Sequence, residues 1–334
     1  MIPFSASTTN RKGWQQQLVA GFRHAGELLD YLELASLFDS RMEKAAAQFP
    51  LRVPRYYANL MEKGDRDDPL LLQVLPSPRE LETAPGFTRD PTGDLPARAG
   101  HGMLRKYPGR ALVIASGGCA INCRYCFRRH YPYQENRASP GAWKPLLSEL
   151  AGDETISEII LSGGDPLMLS NSRLETLVRE LNRIGHLRRL RIHSRLPVVL
   201  PDRVDHGLVE ILGATRLKCT LVLHVNHPRE LTPELGLALE PLPAAGITLL
   251  NQSVLLRKIN DSPAIQISLC EKLFNYGILP YYLHQLDKVE GAAHFLVGDL
   301  RAREIHRIMR QQLPGYLLPR LVREAPGTDS KQPL

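Results

Sequence analysis

The sequence lacks the features that mark membrane and secreted proteins. Nowhere among its 334 residues do about 18 or more uncharged apolar residues follow one another, so no transmembrane helix is expected. The N-terminus has no basic start followed by an apolar stretch, which is the pattern of a secretory signal. Apolar residues make up 43% and charged residues 23%, as in ordinary globular chains. We therefore expect a folded protein with no membrane partner.

Lysine is scarce as well. It occurs ten times, so arginine carries most of the net charge of +7. The chain has no compact block of basic residues, and aromatic residues make up 6% of it. Nucleic-acid-binding domains usually concentrate their basic residues in a patch or stripe. An enzyme with anionic ligands is therefore favoured, and a metal-containing nucleic-acid-binding module is the alternative from another functional class.

The cysteines are too few and too unevenly spaced for a disulfide framework. Of five, Cys119, Cys123 and Cys126 fall within eight residues, whereas Cys219 and Cys270 stand alone. Such a cluster is typical of a protein that stays in a reducing compartment, so we expect the cytoplasm. The two isolated cysteines are expected to be small buried hydrophobic residues.

The chain divides into three parts by pattern. Residues 1–105 read as a helical and irregular extension, with helices expected at 26–38 and 42–49. Residues 106–300 alternate short apolar runs with helical stretches, and 301–334 form a C-terminal helix and tail. Six strands are predicted in the middle part, at 111–115, 158–161, 189–194, 218–225, 246–254 and 279–285. This alternation indicates a parallel α/β sheet, either doubly wound or an incomplete barrel, with ligands at the carboxyl ends of the strands.

Cys119, Cys123 and Cys126 form a C-x3-C-x2-C pattern directly after the first predicted strand. Closely spaced thiolates bind either zinc or an iron–sulfur cluster. Three of them can ligate three irons of a [4Fe–4S] cluster and leave the fourth iron open to a substrate-like ligand. The alternative is a structural zinc with His130 as its fourth ligand, although such sites usually close with a second ligand pair farther along the chain. The spacing therefore favours a catalytic cluster.

This pattern resembles the signature of the radical SAM superfamily, and Ser162-Gly163-Gly164-Asp165 is similar to its Gly-Gly-Glu motif. The resemblance implies a [4Fe–4S] cluster that binds S-adenosyl-L-methionine (SAM). It also implies an incomplete (β/α)6 barrel of the TIM type, with an N-terminal helical extension and a C-terminal cofactor-binding tail. The residues expected to bind SAM are Tyr125, Ser162, Gly163, Gly164, Asp165, Asn251 and Gln252. For the last two, a role as core amides stays open.

Further motifs narrow the resemblance to the lysine 2,3-aminomutases. They are CRYCFRRHYP (123–132), LSGGDPL (161–167), HVNHP (224–228), NQSVLLRKIND (251–261), PYYLHQLDKVEGAAHF (280–295) and GYLLPRLVRE (315–324). The matching stretch runs from about Lys106 to Lys331. The short chain end after Lys331 is similar to that of the bacterial subgroup that makes β-lysine for modifying translation elongation factor P.

Moving an amino group from Cα to Cβ needs an imine, which pyridoxal 5′-phosphate (PLP) supplies. The resemblance identifies Lys331 as the catalytic Schiff-base lysine, whereas Lys258 and Lys288 match no cofactor position. The residues that it assigns to the PLP phosphate are Arg110, Lys106 and Tyr107. Arginine suits this task because its guanidinium is a fork of donors.

The substrate residues also come from the resemblance. Arg128 matches the arginine that binds the substrate carboxylate, and Asp287 matches an acid that binds the ε-ammonium. Glu324 stands where the family has a second acid, an aspartate. Arg124, inside the cysteine loop, is expected to contact the cofactors. His224 and His227 are expected in the core or at the SAM site rather than on a metal.

The function implied is that of an isomerase, a radical SAM and PLP-dependent lysine 2,3-aminomutase that converts L-α-lysine to β-lysine. Expected partners are L-lysine, an electron donor for the cluster, and, downstream, elongation factor P and its lysyl-transferring ligase. No nucleic-acid partner is expected, and a homo-oligomer is compatible with the sequence. A catabolic or osmolyte-producing aminomutase with the same chemistry is the rival within enzymes.

Overall fold

The computed structural model describes residues 13–136 and 143–334. The first twelve residues lie outside the described part, and they include most of the N-terminal segment in which a secretory signal was looked for. The α-helices of the described residues are α1 (Trp14–Val19), α2 (Ala25–Tyr31), α3 (Ser40–Gln48), α4 (Arg55–Ala58), α5 (Tyr133–Asn136), α6 (Trp143–Ala151), α7 (Asn171–Asn182), α8 (Leu196–Val199), α9 (His206–Gly213), α10 (Pro233–Leu239), α11 (Pro241–Ala244), α12 (Pro263–Asn275) and α13 (Asp299–Gln312). The strands are β1 (Met103–Leu104), β2 (Arg110–Ser116), β3 (Glu158–Gly163), β4 (Arg189–Ser194), β5 (Lys218–His224), β6 (Thr248–Val254), β7 (Leu279–His284), β8 (Arg320–Arg323) and β9 (Gln332–Pro333).

All nine strands form one sheet in chain order. Strands β2 to β8 are parallel, and the short β1 and β9 pair antiparallel at the two edges. Sequential parallel strands with intervening helices are the arrangement of a β/α barrel. Because β1 and β9 end the sheet instead of pairing with each other, the barrel of the described residues is incomplete. The predicted α/β fold, an incomplete TIM-type barrel, is confirmed.

The six predicted strands are present, each within two residues of its expected bounds. The parallel sheet nevertheless has a seventh strand, β8, that the sequence analysis did not predict. This strand has four residues and follows Pro319 directly, so its apolar pair Leu321 and Val322 is too short to stand out as a strand pattern. Its place beside β7 brings the end of the chain to the barrel.

Helices α3, α9, α10 and α12 begin at residues whose side chains cap them. Ser262 accepts a hydrogen bond from the backbone N–H of Ile265 at the start of α12, and Pro263 occupies the first turn, where its missing N–H costs nothing. The predicted N-terminal helix at 26–38 is shorter than expected. Helix α2 ends at Tyr31, and Glu33 then adopts a positive φ of 61°, which breaks the helix before a 3-10 turn at Ala35–Leu37.

The largest hydrophobic core joins the N-terminal helices to the barrel. Trp14, Leu28 and Tyr57 belong to the same buried cluster as the apolar residues of β2 to β6. The described part of the N-terminal extension therefore packs against the barrel and is positioned to contribute to its site. Cys219 and Cys270 are free and buried in apolar clusters, as predicted.

Candidate active site

A cavity of about 600 Å³ opens at the carboxyl ends of the parallel strands and reaches into the barrel. The site residues predicted from the sequence line it, except Asn251 and Arg124. Those that do are Lys106, Tyr107, Arg110, Cys119, Cys123, Tyr125, Cys126, Arg128, Ser162, Gly163, Gly164, Asp165, Gln252, Asp287, Glu324 and Lys331. Residues separated by more than 200 positions in the sequence thus meet in one space.

The cysteine loop that follows β2 is held by the N-terminal extension. The Arg52 guanidinium donates to the carbonyl oxygen of Cys119 at 3.2 Å, and the backbone N–H of Arg124 donates to the Gln73 carbonyl at 2.9 Å. The side chain of Arg124 is fully buried and pairs with Glu80 outside the cavity. The expectation that Arg124 contacts the cofactors is therefore wrong: it anchors the loop instead, because its charge needs a buried partner.

Two consecutive glycines let β3 come close to the cysteine loop. At Gly163, with a φ of 121°, a Cβ atom would lie 2.5 Å from the Ser116 carbonyl oxygen. At Gly164 a Cβ atom would overlap the backbone of Gly118. The N–H of Gly164 in turn donates to the Ser116 carbonyl at 2.8 Å. The glycines are required by this backbone contact.

Asp165, the residue that follows these glycines, is hydrogen-bonded to the end of β4. Its carboxylate accepts hydrogen bonds from the Ser194 hydroxyl at 2.7 Å and from the backbone N–H groups of Arg195 and Leu196 at 2.8 and 2.9 Å. Burial raises the pKa of Asp165 in spite of these donors. The carboxylate therefore ties β3 to β4, and a SAM contact from it stays a prediction.

The three thiols fit an iron–sulfur cluster better than a single metal ion. All three are free and face the cavity. Among the described residues, no three His, Cys, Asp or Glu side chains are arranged to hold one metal ion. In a cluster, by contrast, cysteines bind several irons rather than one. His130, the candidate zinc ligand, is bonded through Nε2 to the Glu290 carbonyl at 3.3 Å and does not line the cavity.

Arg195 was missed by the sequence analysis although it follows β4 directly, at the edge where ligands bind. Its Nη1 lies 2.7 Å from Cys123 Sγ and 2.5 Å from the Tyr125 hydroxyl, and its Nη2 pairs with the buried Glu230. Its Nε is buried without a partner among the described residues. The Tyr125 ring stacks on His224, with ring centroids 5.8 Å apart. The side chains of Arg195, Tyr125 and His224 therefore hold one another in place beside the thiols.

A chain of ion pairs crosses the other side of the cavity, buried at Asp94 and Arg128 and partly buried at the other residues. Lys331 Nζ lies 2.6 Å from Glu324 Oε2, and Glu324 Oε1 lies 2.9 Å from Lys106 Nζ. Lys106 Nζ lies 2.5 Å from Asp94 Oδ1, and Asp94 Oδ2 lies 2.5 Å from Arg128 Nε. Burial alone would raise the pKa of Glu324, but Lys331 and Lys106 outweigh it and hold this pKa below its usual value. The chain links the predicted cofactor lysine to the predicted carboxylate-binding arginine.

Asp287 differs from Glu324 because its carboxylate forms no ion pair and accepts no hydrogen bond among the described residues. Burial, followed by the negative charge of Glu324, raises the pKa of Asp287 to about 7, while Lys331 and Lys106 pull it down in part. Such a group binds a cation by giving up its proton. Of the two predicted acids, Asp287 is therefore the one whose oxygens are available to an ammonium group.

Comparison with known proteins decides the family. The sequence profile of the Radical SAM superfamily matches residues 113–230, which contain the cysteine loop and both glycines. The chain is 46% identical to the L-lysine 2,3-aminomutase of Escherichia coli (strain K12), over 98% of this chain and 96% of that protein. The chain belongs to the radical SAM lysine 2,3-aminomutase family.

Other members of the lysine 2,3-aminomutase family are similar over most of the chain. The enzyme of Haemophilus influenzae is 48% identical over 85% of this chain and 84% of that protein. The enzyme of Clostridium subterminale is 32% identical over 96% of this chain and 77% of that protein. The N-terminal extension is therefore part of what this chain shares with the family.

Two of the residues carried over from the family pattern lie on β6 and point to different sides. Asn251 is buried, and its amide donates to and its oxygen accepts from the backbone of Val225. It is a core amide, the reading that the sequence analysis left open. Gln252, its neighbour, lines the cavity, because successive side chains of a strand face opposite ways.

The residues expected to bind the phosphate lie deeper in the barrel. The Arg110 guanidinium lies over the Tyr107 ring, 5.4 Å from its centroid, and forms no ion pair among the described residues. Lys106, by contrast, is already paired with two acids. Arg110 is therefore the freer cation for an anionic ligand in this family member.

No helix in the described parts of the chain is both long and apolar enough to cross a membrane.

Proposed function

We propose that this protein is a PLP-dependent lysine 2,3-aminomutase, an isomerase that converts L-α-lysine to β-lysine. One observation carries the proposal: a single cavity holds three free thiols, Lys331, and two further groups of opposite charge, Arg128 and Asp287. L-lysine carries a carboxylate and an ε-ammonium at its two ends, so these groups match it. Its relatives named L-lysine 2,3-aminomutase support the same activity.

The thiol side of the cavity would generate the radical. With SAM bound, a reduced [4Fe–4S] cluster supplies a 5′-deoxyadenosyl radical that abstracts hydrogen. Cys119, Cys123 and Cys126 would hold the cluster. Tyr125, fixed by Arg195, and the backbone at Ser162, Gly163 and Gly164 would border SAM, with Gln252 on the neighbouring strand. An electron donor has to reduce the cluster.

The opposite side would hold PLP, which supplies the imine that accepts the migrating amino group. Lys331 would bind its aldehyde, and Arg110 with Tyr107 and Lys106 would border its phosphate. The site fits this group because Lys331 is partly buried, with 20% of its side chain exposed, and has an acid within hydrogen-bond distance to exchange a proton with. His284 and His193, both lining the cavity, have pKa values lowered well below the usual range by burial, so they stay neutral beside Lys331.

The substrate would lie between the two sides. Arg128, held by Asp94 and Ser162, would bind the carboxylate, which fixes the Cα end. Asp287 would bind the ε-ammonium and lose its proton as it does so. Glu324 would act on the substrate less directly than expected, because both of its oxygens already contact lysines. Binding at both charged ends would fix the position of Cβ between the two sides.

The proposal extends to the use of the product. Elongation factor P and its lysyl-transferring ligase are the proposed downstream partners, in line with the resemblance to the bacterial subgroup that makes β-lysine for this modification. The proposed location is the cytoplasm, because a cluster of free thiols is typical of a protein in a reducing compartment.

The test is anaerobic incubation of the reconstituted protein with SAM, PLP, dithionite and L-lysine, followed by amino-acid analysis. We expect β-lysine, formed only when SAM and PLP are both present, from protein that contains about four iron and four sulfide per chain. Protein with this cluster content that forms no β-lysine would contradict the proposal. Iron-free protein that binds zinc would favour the nucleic-acid-binding alternative.

Mass spectrometry of elongation factor P tests the downstream role. Incubation with the ligase and the reaction product should add a β-lysyl group, and a ligase that prefers unreacted L-lysine would refute this part of the proposal alone.

A further inference from the structure

Asp94 lies outside every motif that the sequence analysis singled out. It lies between Pro91 and Pro96 in the N-terminal extension, where the sequence analysis placed no site residue. In the structure its side chain is almost fully buried, with 1% of the residue exposed, and it contacts two residues that line the cavity, Lys106 and Arg128. A buried acid in a connecting loop needs a reason, because an unpaired buried charge is costly.

The reason is that Asp94 joins two cations of the site. Its Oδ2 accepts a hydrogen bond from Arg128 Nε at 2.5 Å, and its Oδ1 lies 2.5 Å from Lys106 Nζ. Among the described residues, Asp94 is the sole acid within ion-pair distance of Arg128. The remaining fixed contact of the guanidinium is a donation from Nη1 to the Ser162 hydroxyl at 2.9 Å.

The loop around Asp94 is itself fixed. Asp90 accepts hydrogen bonds from the backbone N–H groups of Asp94 and Leu95 at 2.8 and 2.9 Å. The Thr92 hydroxyl donates to Asp94 Oδ1 at 3.1 Å, and the Thr92 carbonyl accepts from Lys106 Nζ at 2.8 Å. Asp94 is therefore held both at its backbone and at its carboxylate oxygens, as a rigid support must be.

We propose that Asp94 is a positioning residue of the reaction: it holds Arg128 by Nε, so that the guanidinium presents its other nitrogens to the substrate carboxylate. The inference rests on the proposed function, since it assigns Arg128 to that carboxylate. Nε and Nη1 are committed to Asp94 and Ser162, which leaves Nη2 without a protein partner among the described residues. Arg128 lines the cavity, so this nitrogen is the one open to an anion.

Two effects of Asp94 oppose each other, which makes the proposal decidable. Its negative charge lies beside Arg128 and would repel a substrate carboxylate, so a purely electrostatic role predicts tighter lysine binding when the charge is removed. Its hydrogen bond orients Arg128, so a positioning role predicts weaker binding. A charge-assisted hydrogen bond is worth about ten- to hundredfold in an equilibrium, whereas the repulsion acts at longer range.

The experiment compares Asp94→Ala, Asp94→Glu and wild type, each reconstituted with cluster and PLP. The exposed Asp67, whose side chain is 64% accessible, provides the control Asp67→Ala. We expect Asp94→Ala to raise the KM for L-lysine by about ten- to hundredfold, with a smaller change in kcat. Asp94→Glu should recover most of this loss because it keeps the charge. Inhibition by L-lysinamide, which lacks the carboxylate, should change by less than about twofold in Asp94→Ala.

Unchanged or lower KM for L-lysine in Asp94→Ala would overturn the proposal, as would an equal loss of L-lysinamide inhibition. If Asp94→Ala fails to retain its cluster, the same two criteria apply to Asp94→Asn, which has the size of the native residue. A wild-type enzyme that forms no β-lysine would count against the proposed function instead, so the two failures are distinguishable.

Discussion

Lys331 and Glu324 contact each other in the hairpin of β8 and β9, at the first pair of residues beyond the paired strands. Lys331 Nζ lies 2.6 Å from Glu324 Oε2, and the register of β8 and β9 pairs Arg323 with Gln332. The next residues inward, Glu324 and Lys331, therefore face each other as soon as the hairpin forms. Backbone pairing of the last residues of this chain thus places the lysine in the cavity, where a free tail would leave it in solvent.

The cysteine loop gives a first prediction. Cys123→Ala removes one thiolate of three, so we expect the reconstituted protein to lose most of its iron and its absorption in the visible range. Cleavage of SAM on reduction should fall below detection. Iron and sulfide analysis with detection of 5′-deoxyadenosine provides the measurement. The matched control is Cys219→Ala, which changes a buried cysteine in the apolar core and should keep about four iron per chain. Normal cluster content in Cys123→Ala would show that this thiol is not a ligand.

Gly164 gives a second prediction, because its neighbours leave no space for a side chain. In Gly164→Ala the new methyl group would overlap the Gly118 backbone, so β3 or the cysteine loop has to move. We expect a destabilisation of about 1–3 kcal/mol, as for overpacked cores, together with reduced SAM affinity. Thermal unfolding followed by circular dichroism measures the first and equilibrium dialysis the second.

Gly185→Ala is the control for this prediction. No atom lies within 4 Å of the position that its Cβ would take, so both properties should stay at the wild-type level. Equal behaviour of the two variants would mean that the contact between β3 and the cysteine loop is not tight.

The sequence pattern predicted the six central parallel strands well because they are short apolar runs bounded by turn residues, and burial on both faces produces that pattern. The choice of a barrel over a doubly wound sheet came from the family resemblance, because both folds have the same strand pattern. The sequence also predicted the roles of the three cysteines and of the two glycines, because the members of each group lie close together in the chain and form a recognisable motif. It did not predict Asp94 or Arg195. Each acts through a partner that is distant in the chain, as Asp94 does on Arg128, and no local pattern reports such a pairing. Arg124 was misplaced for the same reason, since its partner Glu80 precedes it by 44 residues.

Asp287 gives a third prediction, on pH. Its pKa is raised to about 7, chiefly by burial, so the carboxyl loses its charge as the pH falls through neutrality. An ammonium group binds the charged form, so L-lysine affinity should fall toward lower pH, approaching about tenfold per unit below the pKa. L-norleucine, which lacks the ε-ammonium group, reports the pH dependence of the rest of the site. We expect the ratio of the two affinities to decline below about pH 7 in wild type, as measured by titration of the PLP absorbance.

In Asp287→Asn the same ratio should be small and independent of pH, because the amide carries no charge. Lysine should bind about ten- to hundredfold more weakly than in wild type at high pH. A ratio that still declines in Asp287→Asn would assign the titration to another group.

The last prediction concerns Lys331 itself. Borohydride reduces the bond between PLP and a lysine amine and makes the label permanent, so peptide mapping should find a pyridoxyl group on the peptide that carries Lys331. Lys331→Ala should lose the label and nearly all β-lysine formation, while it keeps the iron–sulfur cluster, since the thiols are held by β2 and the N-terminal extension. Lys288→Ala, at an exposed position after β7, should keep both label and activity. The variant Glu324→Gln separates the lysine from its support: the amine remains, but the anion between Lys331 and Lys106 is gone, so the two ammonium groups repel each other and labelling should become slower without disappearing. A pyridoxyl group on Lys258 or Lys288 in wild-type protein would contradict the assignment, because neither residue lines the cavity.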